Sequence, residues 1–568
     1  MKSVLLKSFI LIILIVSSVS CEDFFEIKRP QETQWTNTAT FEQGLNSAYW
    51  LIQWGNGLGR GYPMFHDFAA SGTARKTVTG AAGINGDEFY YRKFGERLTR
   101  LPNIWEQGYQ VITLANLALD LDEERNGNPF NLDINGTDYK NNYLRQIGEY
   151  YFCRAYAYFI LMKTFAPPYD HSGNNSVLTI PLKDKAAYSK DDVLNEKIGT
   201  REEVYQQIIH DFKKAKELLP DQFTLNSWNN VTGYEAGRGN KWAAAAFLGK
   251  VYFLMGRYTE AKAEFDDLIN YAESTGTYSL EEAPKEAFNK DKAEIYPKES
   301  IYEFNGGDPL GTSGQRNLYL YTGMVMGLRF RDSNGDEIMN IATNGQGTVI
   351  STWNSFAVSY TALKQMGWMV DPVNGDYTIT TEAEADLRYQ QVYHLLLPMP
   401  EGTPGDNIPK GSEGYVTYES FPGHAHLTTP HVYIDKFFRG EAPYGRLSKF
   451  PLIKLADIYL LRGWLKWKAN DLQGAANDLN KVWNRSNPHN TNRHTTANIT
   501  HESIYSEYLR ETVGEGWTVD FIMGTQMVAP QGDDPLTPVI QPPYSNWYWP
   551  IPPQEESLNP NYQYSEDI

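Results

Sequence analysis

Cysteine is nearly absent: the 568 residues hold two, Cys21 and Cys153. No disulfide framework can stabilise this chain. Basic charge is also short. Fifty-one Lys and Arg stand against 69 Asp and Glu, a net charge of −18. Losing Lys2 and Lys7 with an N-terminal signal leaves 49 basic residues and about −20. That balance argues against a nucleic-acid partner, because phosphates need Lys and Arg to displace their counterions. The short apolar run Phe9 to Val16 is too brief to span a bilayer. Catalytic signatures are missing too: there is no GxSxG elbow, no Cys–His pairing and no HExxH.

Apolar and aromatic residues are plentiful, at 41% and 14%, enough for a large ordinary core. The organising stretch is Ala243 to Tyr271. Leu248, Gly249, Tyr252, Gly256, Tyr258, Ala261 and Phe265 fall at the spacing of a tetratricopeptide-type helical hairpin. Gly249 and Ala261 are small enough for two helices to approach closely, and Gly256 permits the turn. One such hairpin cannot bury its own apolar stripe, so neighbours of the same kind are expected.

The opening, MKSVLLKSFILIILIVSSVSC, has the basic, apolar and small-residue regions of a secretory signal. It resembles a bacterial lipobox, with Ser18 where Leu is usual. Residues 1–20 are then the signal, and Cys21 is the acylated first residue of a lipid-anchored protein. Glu22 and Asp23 resemble a lipoprotein surface-export signal. Cys153, on an apolar helix, reads as a small buried hydrophobe.

Along the chain, helical periodicity predicts Thr40–Trp54, Trp105–Leu121 and Tyr143–Phe165, the last stopped by Pro167-Pro168. Thr200 and Glu203 form a capping box for a helix stopped by Pro220. Between the first two helices lies a long polar loop opened by Gly55–Gly61, whose strictly alternating glycines with no following GKS or GKT make no phosphate cradle. From Tyr278 to Arg446, Gly, Asn, Pro and aromatics predict an elaborated loop region with little regular structure. There the runs Ser300–Phe304 and Met324–Phe330 fit short strands or short helices. Leu452–Trp483 reads as another hairpin, and Ser503–Val513 as a further helix. The domain expectation is one compact body, with residues 21–277 as a helical-repeat part and 278–568 as the loop-rich and C-terminal part.

Several segments in this order resemble the SusD/RagB family of outer-membrane lipoproteins. They are CEDFFEIKRP from Cys21, WEQGYQVITLAN from Trp105, RAYAYFILMKTFAPPY from Arg154, PLIKLADIYLLRG from Pro451 and PIPPQEESLNPN from Pro550. Lys454 replaces the family's usual Arg. The motif around Glu511, Glu515, Gly516 and Asp520 departs from the pattern, with Thr518 in place of Arg. The resemblance implies a mostly α fold of four tetratricopeptide-like (TPR-like) hairpins with few short strands and loops on one side. It implies a glycan-binding protein without catalysis or cofactor, acting as the lid of a SusC-like TonB-dependent barrel. Two alternatives stand beside it: oligopeptide cargo in the same complex, and a tetratricopeptide-type protein-interaction scaffold.

Saccharide binding needs flat apolar faces for sugar C–H groups and planar polar groups for hydroxyls. In the first loop region the candidates are Trp54, His66, Asp67, Arg75, Tyr90 and Tyr91. In the elaborated region they are Arg316, Tyr319, Tyr321, Trp353 and Trp368. Trp105, Trp242, Trp464 and Trp467 fall on helices and are assigned to packing. Asp332, Asn334 and Asp336 resemble the start of a calcium loop. Glu337 and Thr343 stand where such a loop needs Gly and Glu, so a polar turn is the better reading. His424, His426 and His431 lack the context of a zinc site.

Overall fold

The computed structural model describes residues 35–558 except 55–56, 60–65, 67–68, 71–73, 77–86, 96–100, 131–136, 190, 193–195, 224–236, 289–296, 305–328, 332–336, 339–348, 351–355, 374–375, 397–430, 435, 437–449 and 490–491. Cys21, Asp67, Arg316, Tyr319, Tyr321, Trp353, Asp332, Asn334, Asp336, His424 and His426 therefore lie outside the described residues.

Eight helices form four packed pairs: α1 Thr38–Trp54 with α2 Leu101–Glu124, α3 Thr137–Phe165 with α4 Arg201–Leu218, α5 Lys241–Leu254 with α6 Tyr258–Thr275, and α7 Leu455–Lys468 with α8 Leu472–Ser486. Consecutive pairs also pack on each other, α2 on α3, α4 on α5 and α6 on α7, so each pair buries the stripe its neighbour leaves open. Two more helices pack beside these pairs, α9 His501–Thr512 against α7 and α8, and α10 Thr518–Thr525 against α5.

Local chemistry sets the helix ends. Asn37 accepts from the amides of Ala39 and Thr40 at 2.9 Å each, Asn240 from Ala243, and Asp471 from Gly474. Thr200 and Glu203 make the expected capping box. Gly256 at φ +72° and Gly276 at φ +68° make the turns that flank α6.

Helix α5 is the centre of the body: every residue from Trp242 to Leu254 is buried. Apart from Lys241 and Lys250 this helix is apolar on all sides and has to be enclosed, and α5 touches α4, α6, α10 and the strand Ser300–Phe304. Gly249 marks the closest approach, since a Cβ there would lie 2.4 Å from Phe265 Cε1. Trp105, Trp242, Trp464 and Cys153 are buried as expected, while Trp467 is partly so.

The elaborated region leaves and rejoins the body through one fully buried antiparallel ribbon, Ser300–Phe304 against Phe450–Lys454. The run Ser300–Phe304 is thus a strand. The region is more regular than its composition predicts. It holds the hairpin Met369–Val373/Asp376–Ile379, the pair Tyr393–Leu396/His431–Ile434 and a three-stranded sheet over Arg329–Arg331, Glu337–Ile338 and Val349–Ile350. It also holds short helices at Tyr360–Gln365, Thr381–Ala385 and Leu387–Val392. Segments of two to six residues are too short for a period to register in the sequence.

Candidate ligand-binding face

Most of the motif residues prove to be internal charges. Arg154 on α3 donates to both carboxylate oxygens of Asp211 on α4 at 2.7 and 2.8 Å, and to Asn116 Oδ1 on α2 at 2.7 Å. Glu511 and Glu515 lie in a buried network. Lys436 Nζ donates to Glu515 Oε1 at 2.7 Å and to the Glu511 carbonyl at 2.6 Å. Lys454 pairs with Glu515, and Arg485 bridges Glu299 at 2.9 Å and Glu511 at 2.8 Å. Arg388 adds Asp386 at 2.7 Å and Glu507 at 2.8 Å. Burial works against the Glu511 carboxylate, yet Arg485, Lys454 and Arg388 hold it down at about 2. Burial wins at Glu299, pushing it up to about 7 against Arg485. Asp386, Arg388 and Lys436 belong to the elaborated region, so the network ties that region to α8 and α9. Asp520 pairs with Lys163 of α3 in the same interior. These groups hold elements together; none lines the pocket described next.

Three segments distant in sequence meet on one face. The first-loop strand Ala74–Lys76 pairs antiparallel with Phe356–Val358, placing Arg75 opposite Ala357. Residues 87–95 fasten to the C-terminal tail. Tyr91 donates its hydroxyl proton to Asp534 Oδ2 at 2.8 Å. Arg92, at φ +51°, donates to the carbonyls of Ala69, Pro530 and Pro538 at 2.8, 2.6 and 2.6 Å and lies over the Trp547 ring. The tail in turn grips the elaborated region, because Asp533 accepts from the amides of Tyr360 and Thr361 at 2.7 and 2.8 Å. Beside this junction opens a pocket of about 300 Å³, walled by Thr361, Gln365, His501, Glu502, Tyr505 and Val528 among others. Burial keeps the His501 imidazole below its usual range, so at neutral pH the ring is uncharged, with one donor and one acceptor nitrogen. An imidazole, a carboxamide, a carboxylate and a phenol ring around an apolar wall suit hydroxyl-rich ligands.

The predicted site residues divide among three fates. His66, Tyr90 and Trp368 are 1%, 2% and 0% exposed and belong to the core. Trp368 packs edge-on against Tyr389 and Tyr393. A ring enclosed on both faces has none to offer a sugar, which corrects the reading of these three as ligand contacts. Tyr91 is half-buried and fastens the tail. Arg75 has its backbone at the junction, and Trp54 ends α1. Arg92, Asp533 and Asp534 were not among the predicted residues, and most of their partners lie well over a hundred residues away; nor was Trp50, which is 56% exposed on the outer side of α1. Only Trp50 had a local signal, its place on the polar side of the helix. Among the described residues no group of His, Cys, Asp and Glu could hold a metal, and no helix is long and apolar enough to cross a membrane.

Comparison with known proteins follows the same outline. Residues 23–253 match the SusD-like family model described as "Starch-binding associating with outer membrane". The SusD-like protein P2 of Formosa agariphila is 26% identical over 269 residues, 46% of this chain and 45% of that protein, so the match spans less than half of the relative's length. Among solved structures, a SusD superfamily protein from Bacteroides thetaiotaomicron aligns with a TM-score of 0.67 at 19% identity, over 93% of this chain and 99% of that one. A putative sugar binding protein from Bacteroides vulgatus aligns at 0.65 and 19%, over 93% and 98%. A laminarin binding SusD-like protein aligns at 0.62 and 19%, over 93% and 100%. At these identities the solved structures establish the fold: mostly helical, with few short strands.

Proposed function

We propose that this chain is a SusD-like protein, a surface lipoprotein that binds glycans for import and does not cleave them. In this reading Cys21 carries the lipid anchor and holds the protein on the outer membrane, facing outward. A SusC-like TonB-dependent barrel is its partner, and the protein caps that barrel as a lid. Residues 21–568 act as one body.

The observation that carries the reading is the junction on the loop face. The Arg75–Ala357 strand pair and the grips of Arg92 and Asp533 bring the first loop, the elaborated region and the tail together beside a polar pocket. A rigid helical body presenting converged loops is suited to recognition, because the scaffold holds the contacts in register before the ligand arrives. Of the predicted contacts, Trp54, Asp67, Arg75, Arg316, Tyr319, Tyr321 and Trp353 remain candidates for this role. The laminarin binding relative and the starch-binding description of the family support saccharide as the cargo.

Affinity electrophoresis of the soluble chain from residue 22 in gels containing laminarin, starch and other polysaccharides tests the proposal. Retardation by at least one polymer without any shortening of it is expected. No retardation by any of them, or release of reducing ends, defeats the reading. Mixed-sequence peptides found by mass spectrometry in the complex purified from membranes would assign oligopeptides as cargo instead.

A further inference from the structure

A second, larger concavity of about 510 Å³ shares no lining residue with the loop-face pocket. It sits between α2, the segment Pro181–Lys183, and the short C-terminal helix Pro553–Leu558. Its size falls within the roughly 300–1,000 Å³ usual for small-molecule sites. Along its α2 side, Glu106, Gln110 and Thr113 recur at i, i+4 and i+7. A carboxylate, a carboxamide and a hydroxyl therefore stand in one row about 10 Å long. Leu51, Leu114 and Pro181 supply apolar wall between these groups.

The floor is rigid. Tyr109 donates to the Pro181 carbonyl at 2.9 Å and packs against Trp105, ring centroids 4.8 Å apart. Trp105 is hydrogen-bonded to Glu555, which fastens the C-terminal helix across the end of the cleft. Preorganised walls lower the ordering cost of binding. The charge is one-sided. Glu106, Glu196 and Glu555 line the cleft against the one lysine Lys183, whose ammonium is paired with Glu196 and lies 5.1 Å over the Tyr109 ring.

Alternating apolar surface and hydrogen-bonding groups suit a polyhydroxylated chain. An excess of carboxylate repels sulfate and uronate, whose burial beside like charge is costly. We propose that this cleft is a second saccharide site, separate from the loop-face pocket and selective for uncharged oligosaccharides. The inference rests on the glycan-binding reading and adds to it a place and a charge rule.

The test compares the wild-type chain with Thr113→Trp, which fills the cleft, and Gln110→Ala, which deletes one polar group. Both positions are exposed on α2, and thermal melting checks that each variant folds. Isothermal titration uses laminarihexaose, maltohexaose and a sulfated carrageenan hexasaccharide. The expected result is two sites per chain for a neutral hexaose, one site in Thr113→Trp, and at least threefold weaker binding at one site in Gln110→Ala. The sulfated probe should leave the cleft empty. A stoichiometry that Thr113→Trp does not change overturns this inference alone, as does a sulfated probe whose binding Thr113→Trp abolishes. A wild-type chain that binds no saccharide overturns both this inference and the proposed function.

Discussion

Arg154 and Asp211 meet in a two-pronged pair inside the protein, the guanidinium reaching both carboxylate oxygens from the neighbouring helix. The pair joins α3 to α4, and Asn116 extends it to α2, so three consecutive helices are pinned at one point. Removing one partner strands the other charge in a dry interior. Asp211→Ala should therefore lower the unfolding free energy by about 3–5 kcal/mol. The double variant Arg154→Leu/Asp211→Leu should lose much less than the two single losses combined. Urea unfolding measures this, and simple additivity would show that the two side chains do not act as a unit.

Gly249 and Phe265 show how closely α5 and α6 approach. A methyl group at Gly249 would sit within 3 Å of three atoms of the Phe265 ring. Gly249→Ala should cost about 1–3 kcal/mol by overpacking, and Gly249→Val more. Pairing Gly249→Ala with Phe265→Leu should recover part of the loss in a thermal melt. A Gly249→Ala protein as stable as the parent would mean that the helices can move apart freely.

Glu42 links stability to pH. Burial opposes its charged form, but Arg145 and then Arg238 outweigh burial and bring it from the ordinary 4.5 down to about 2. A carboxylate whose folded value lies below its unfolded value stabilises the protein above about pH 4.5. That contribution fades as the pH falls towards 2. It amounts to about 3 kcal/mol at neutral pH. Glu42→Gln should thus be clearly less stable than the parent at pH 7, with the gap closing by pH 2.5. Unfolding curves at the two pH values decide it, and a gap of unchanged width would refute the linkage.

Asp533 should matter for binding more than for stability. It caps the helix Tyr360–Gln365 from the tail, and losing such a cap costs about 1 kcal/mol locally. Asp533→Ala should leave the melting temperature within a few degrees of the parent. It should also weaken polysaccharide retardation several-fold, because the loop-face pocket loses one wall's anchor. Unaltered retardation would place glycan binding elsewhere on the molecule.

The helical body was legible from the residues because its signals are local. Apolar residues repeating at three and four positions, Thr200 before Glu203, Pro167-Pro168, Pro220 and the small Gly249 each act within a few residues of themselves. The helices consequently appeared near where expected, except that residues 452–454, expected in the hairpin, form part of the strand Phe450–Lys454 and the hairpin starts at Leu455. The strands of the elaborated region were not legible. Phe356–Val358 is stabilised by Ala74–Lys76, nearly three hundred residues away, and carries no pattern of its own.

The repeating helical frame, the burial of Cys153 and the acidic balance follow from side-chain periodicity and composition alone. Which aromatics remain open depends instead on the folded chain. Tyr90 and Trp368 look as available in the sequence as Trp50 does, yet two are enclosed and one is bare. Tertiary structure also decided that Glu511, Glu515 and Asp520 serve as internal ties. The physical reason is that exposure and charge pairing depend on what the rest of the chain brings alongside. Those contacts join residues tens to hundreds of positions apart, beyond the reach of any local signal.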